Sequence, residues 1–116
     1  MRRPIGAAWL VLATIAGSVG CAASAPEVPV GPDGAADPVL VEGRDVWVAN
    51  CSRCHGAGGG GGRGPRLDDG LMVDAYPDPA DEIALVAAGR GQMPAFADRL
   101  DDAEIEAVVR YTREVL

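Results

Sequence analysis

The chain has no lysine: all 10 of its basic residues are arginine, set against 17 acids, for a formal net charge of −7 over 116 residues. Without lysine, the glycine-rich stretch from Gly56 to Gly64 cannot be a phosphate cradle, which ends in Lys-Ser or Lys-Thr after a strand. The acidic balance argues against nucleic acid, whose phosphates it would repel, and favours basic or neutral partner surfaces. No apolar run reaches the roughly 20 residues of a membrane-spanning helix. Aromatic residues are scarce, with two Trp, two Tyr and one Phe. A small domain with so few large side chains buries little surface, and such scaffolds need a staple. There is one histidine and there are three cysteines, with no alternation of strand and helix patterns around them. That argues against a thioredoxin-type site and against zinc, which usually takes four Cys or His ligands.

What is present is Cys51-Ser52-Arg53-Cys54-His55, a C-x-x-C-H string, the sign of covalent c-type haem attachment. On a helical turn, positions three apart share a face, so both thiols reach one porphyrin edge while His55 comes round under the iron. One covalent haem is the expected cofactor, and it would be the staple the small core requires.

The N-terminus reads as a processing segment. Arg2 and Arg3 precede an apolar run from Ile5 to Val19 that ends in small residues, the layout of a secretory signal over residues 1–20. Gly20-Cys21 at its end resembles a bacterial lipoprotein signal, in which Cys21 becomes the lipidated first residue; ordinary cleavage near Ala22 to Ala25 is the alternative. Loss of residues 1–20 removes two arginines and no acids, leaving eight basic residues against 17 acidic ones. Residues 21–37, with Pro26, Pro29 and Pro32, read as a Pro/Gly/Ala-rich linker. At roughly 3 Å per residue it would tether the domain at a reach of some 50 Å at most.

The domain is expected over residues 38–116. Asp37 caps a helix with Pro38 at its first position, and Leu40, Gly43, Trp47, Cys51 and Cys54 form one stripe leading into the haem thiols. Gly43 is costly inside a helix, by about 1 kcal/mol against alanine, which suggests close approach of another helix. Residues 68–78 read as an irregular loop with a short apolar patch against the cofactor. Asp78-Pro79 opens a short helix, with Ile83, Val86 and Ala87 inward and Gly89 as its stop. Asp101 with Glu104 three residues later has the form of a capping box for a terminal helix. Its apolar face is expected to pack on Gly43 and Trp47, with Tyr111 beside the glycine.

A second chemical site lies at Gly91-Gln92-Met93-Pro94-Ala95-Phe96. A thioether is a soft ligand for haem iron, and Pro94 biases Met93 towards an extended backbone from which its side chain can project. Met72 is the competing methionine and reads as packing. The Pro65 carbonyl is placed to accept the free ring N–H of His55. Arg53, Arg63 and Arg66 could pair with haem propionates or simply be solvated.

Taken together, Gly43/Trp47, CSRCH, Gly64-Pro65-Arg66-Leu67, Gly91 to Phe96 and the terminal helix resemble a class I monohaem cytochrome c of the small bacterial kind. The resemblance implies an all-α cytochrome c fold whose first and last helices cross at Gly43. It implies thioethers from Cys51 and Cys54, iron between His55 and Met93, and haem attachment outside the cytoplasm. The implied function is one-electron transport rather than enzyme catalysis. Expected partners are a quinol-cytochrome c reductase, a dehydrogenase or a terminal oxidase, met by a monomer on the periplasmic or cell-surface face of the cytoplasmic membrane. The alternatives are a haem protein that binds a gas or peroxide, and a fixed electron-transfer subunit of an oxidoreductase complex. The family's lysine docking ring is absent here, so its docking surface does not carry over.

Overall fold

Each long helix starts where an aspartate reaches back to a free amide. In the computed structural model, which describes residues 23–116, α1 spans Pro38–Asn50. The Asp37 carboxylate accepts the Val39 amide at 2.8 Å, with Pro38 in the first turn. The short α2 follows over Ser52–His55, then α3 over Leu71–Ala75. Asp78 caps α4 (Pro79–Ala88) by accepting the Ala80 amide at 2.9 Å. A complete capping box starts α5 (Asp102–Glu114): Asp101 accepts the Glu104 amide and Glu104 accepts the Asp101 amide, both at 2.9 Å. Among the described residues there is no strand, only isolated bridges pairing Val30 with Ala36 and Arg90 with Met93.

The core is the crossing of α1 and α5. At Gly43 the helices come so close that an added Cβ would stand 2.7 Å from the Ala107 carbonyl carbon and nearer still to its oxygen. Trp47 and Tyr111 fill the space beside this contact, almost wholly buried and with ring centres 6.3 Å apart. Both polar tips are satisfied, the indole N–H on the Ala57 carbonyl at 2.8 Å and the Tyr111 hydroxyl on the Pro26 carbonyl at 2.6 Å.

Three expectations change here. The stripe running into the cysteines is not one helix: it breaks at Cys51, which ends α1 and precedes α2. Residues 71–75 form a helical turn inside the expected irregular loop, with Met72 buried. Within the described part of the expected linker over 21–37, Ala25 is not free but joins the core cluster with Val46, Trp47, Val108 and Tyr111. Arg44 adds hydrogen bonds to the Ala25 and Pro26 carbonyls at 3.1 and 3.0 Å. Backbone carbonyls of this segment thus satisfy two side chains of the helix crossing, and the segment is a strap across it.

Candidate functional site: a cavity between the cysteine motif and the methionine loop

The cavity bounded by α2, α3, α4, α5 and the loops between them has a volume of about 690 Å³. It lies within the range of roughly 300–1,000 Å³ typical of ligand sites. Cys51, Cys54, His55, Pro65 and Met93 all line it, together with an apolar wall that includes Leu85, Val86, Phe96, Val108 and Val109.

His55 is buried, and its Nδ1 lies 2.8 Å from the Pro65 carbonyl oxygen. A carbonyl can only accept, so Nδ1 donates to it, and in the neutral ring Nε2 is then the nitrogen with the lone pair. The approach is close: a Cβ on Gly64 would fall 2.7 Å from Cε1 of the ring. Glycine is therefore required beside the imidazole, and Pro65 follows it with an acceptor and no donor. Trp47 bounds the ring on another side, with centroids 6.1 Å apart.

Cys51 and Cys54 are part-buried free thiols, held on one short turn by the His55 and Cys54 amides donating to the Cys51 carbonyl. Burial pushes the Cys51 thiol up to about 11, and the neighbouring Cys54 adds to the shift. The environment thus disfavours a thiolate at this position.

Met93 projects from a tight turn after α4. Its amide donates to the Arg90 carbonyl at 2.9 Å, and the Arg90 amide donates to the Met93 carbonyl at 3.1 Å. The Phe96 amide returns to the end of α4, 3.2 Å from the Val86 and Ala87 carbonyls. The loop is therefore set by its own backbone, independently of the Met93 side chain. Met72 lines the same cavity and is 7% exposed.

At the cavity wall and mouth stand Arg53, Arg63, Arg66 and Arg90. Arg66 is held by ion pairs to Asp68 and Asp69, and Arg90 donates to the Tyr76 hydroxyl at 2.8 Å. The sequence reading missed Glu82. It is 1% exposed in the cavity wall, whereas the inner face of α4 was expected on Ile83, Val86 and Ala87. An acid in a first helical turn reads as a solvated match to the helix dipole. What buries it comes from α5: Thr112 donates to Glu82 Oε1 at 2.6 Å, and Arg113 lies 3.1 Å from Oε2. Cys21 lies outside the described residues.

The donor set fits a haem c: two thiols on one turn, an imidazole with its outer nitrogen tied back, and a thioether, all on one mainly apolar cavity. Comparison with known proteins agrees. Residues 38–111 match the family model described as cytochrome C oxidase, cbb3-type, subunit III. A cytochrome c6 of Bryopsis maxima is 40% identical over 80 residues, covering 60% of this chain and 83% of that protein. The crystal structure of cytochrome c6C from Synechococcus sp. PCC 7002 superposes with a TM-score of 0.55 at 33% identity, covering 63% of this chain and 92% of that one. A dihydro-heme d1 dehydrogenase of Pseudomonas aeruginosa is 39% identical over 69 residues, but they cover 60% of this chain and only 14% of that much longer protein. With the motif, the cavity and these relatives in agreement, the chain belongs to the cytochrome c family, as a small class I monohaem member that carries one covalent haem c and transfers electrons.

Proposed function

We propose that Cys51 and Cys54 bind the haem as thioethers, that His55 Nε2 and the Met93 sulfur take the two axial positions, and that the protein is a carrier and not an enzyme. The observation that carries this is the convergence of all four side chains on one cavity, with the outer nitrogen of His55 already engaged by Pro65. When bound, the haem supplies a one-electron Fe(II)/Fe(III) couple. The chain's part is to hold the imidazole in one tautomer, present a sulfur from a pre-set loop and keep water out with the apolar wall. Filling both axial places leaves no position for a substrate, which separates this reading from a gas- or peroxide-binding protein. The test is the visible spectrum of the reduced holoprotein before and after carbon monoxide. Bands unmoved by the gas are expected; a shift would show an open iron and overturn the carrier reading.

The redox partners fit the same picture: a quinol-oxidising complex or dehydrogenase as donor and a terminal oxidase as acceptor. We assign residues 1–20 to a signal, with Cys21 as a lipid anchor at the outer face of the cytoplasmic membrane and residues 38–116 as the haem domain. No helix among the described residues is long and apolar enough to cross a membrane. The docked strap changes what such an anchor would do. Only residues 22–24 separate Cys21 from the buried Ala25. At about 3.3–3.6 Å per residue, the four steps from Cys21 to Ala25 give a reach of roughly 14 Å instead of some 50 Å. A carrier held so close serves partners beside it in the same membrane. Intact mass of the exported protein tests the anchor: diacylglycerol on Cys21 is expected, and a mature chain beginning beyond it would remove the anchor from the proposal.

A further inference from the structure

Among the described residues, Glu82 is the one acidic side chain in the cavity wall, and it is 1% exposed. A carboxylate out of water is costly unless paired and hydrogen-bonded, and here both oxygens are engaged. Oε1 accepts the Thr112 hydroxyl at 2.6 Å; Oε2 faces the Arg113 guanidinium at 3.1 Å. Arg113 also donates to the Tyr76 carbonyl at 2.7 Å, tying the loop before α4 to α5. A purely structural clamp would account for these contacts, but the order of the two charges goes further. Glu82 and Thr112 line the cavity, whereas Arg113 does not. The ion pair therefore has an order: Glu82 belongs to the wall of the cavity that His55 and Met93 also line, and Arg113 lies behind that wall.

We propose that Glu82 sets this carrier's reduction potential downward, by presenting the negative end of a buried, oriented ion pair to the iron site. The inference rests on the haem occupying this cavity as proposed above. Oxidation removes one electron from the iron, which passes to the redox partner, and leaves one more positive charge in the site. A fixed negative charge in a medium of low dielectric stabilises that state. The mouth arginines act through solvent and fade with salt, whereas a buried charge is screened much less. Glu82 is thus a positioning residue for charge, acting on the iron without binding it.

The experiment is a spectroelectrochemical titration of the holoprotein and its Glu82→Gln, Glu82→Asp and Thr112→Val variants, each at low and high salt. E82Q keeps the shape and removes the charge. It is expected to shift the one-electron equilibrium roughly tenfold towards the reduced form, about 59 mV, with little dependence on salt. E82D keeps the charge and should stay much nearer the wild-type potential. T112V removes a dipole that compensates the carboxylate, so its potential should move the opposite way, downward. A wild-type potential in E82Q with an unaltered reduced spectrum would reduce Glu82 to a clamp and overturn the proposal, leaving the haem site untouched. A changed reduced spectrum in E82Q would mean that the iron's ligands had moved, and would overturn action through space. If E82Q fails to mature, T112V decides: a potential unchanged or raised sinks the idea. Failure of the wild-type protein itself to carry covalent haem would instead sink the site reading.

Discussion

Replacing Met93 by alanine is expected to lower the reduction potential by on the order of 0.1 V or more, within the roughly 0.8 V over which axial ligands set haem potentials. A thioether is soft and favours the reduced, less charged iron, so His/Met ligation raises the potential and its loss lowers it. The same change should let the reduced protein bind carbon monoxide. The fold should survive, because the Arg90 to Met93 turn and the return of Phe96 to α4 are made by backbone groups that alanine keeps. Spectroelectrochemistry on the matured variant checks this. An unchanged potential and spectrum would remove Met93 from the iron and turn attention to Met72, buried on the same cavity.

The sequence made the covalent site legible because its chemistry is local. C-x-x-C-H is five consecutive residues, Met93-Pro94 carries its own backbone bias, and the caps at Asp37, Asp78 and Asp101 are read within three or four positions. The helix crossing was legible for another reason: a glycine inside a helical stripe is a cost that asks for a neighbour, and Ala107 on α5 is that neighbour. What escaped was decided by contacts far along the chain. Ala25 carries no signal of burial by itself, and its place depends on Tyr111 reaching Pro26 across 85 positions. A five-residue helix such as α3 is too short to hold by propensity and forms only where Met72 can bury. Glu82 required Thr112 and Arg113, 30 and 31 residues away, to become an inward-facing acid.

The strap and the cavity also share their walls. Trp47 and Val108 pack with Ala25 in the core cluster and at the same time line the cavity. The crossing of α1 and α5 therefore does two jobs: it holds the N-terminal segment and it backs the iron site. Any change that separates the two helices must act on both.

Replacing Gly43 by alanine provides that separation. Helix propensity alone predicts stabilisation of about 1 kcal/mol, alanine being the better helix former. The contact predicts the reverse, because the new Cβ would meet the Ala107 carbonyl and stand 2.9 Å from Tyr111 Cβ. The obstacle is mostly backbone, which no rotamer change can move aside, so the helices must part. Overpacking of this kind costs about 1–3 kcal/mol and at times more; the upper end is expected here, a large share of the roughly 5–15 kcal/mol that holds a domain together. For a domain of this size about 3 kcal/mol corresponds to a fall in Tm of roughly 15 °C. Thermal unfolding of the holoprotein followed by far-UV dichroism measures it, with Gly58→Ala as the control. A Cβ at Gly58 meets nothing within 4 Å, so that variant should melt close to the wild type. The covalent haem should stay attached in both, since neither change touches Cys51 or Cys54, and the loss in G43A should appear as an earlier melt. If G43A melts with the wild type or above it, propensity has won and the two helices do not cross at this distance.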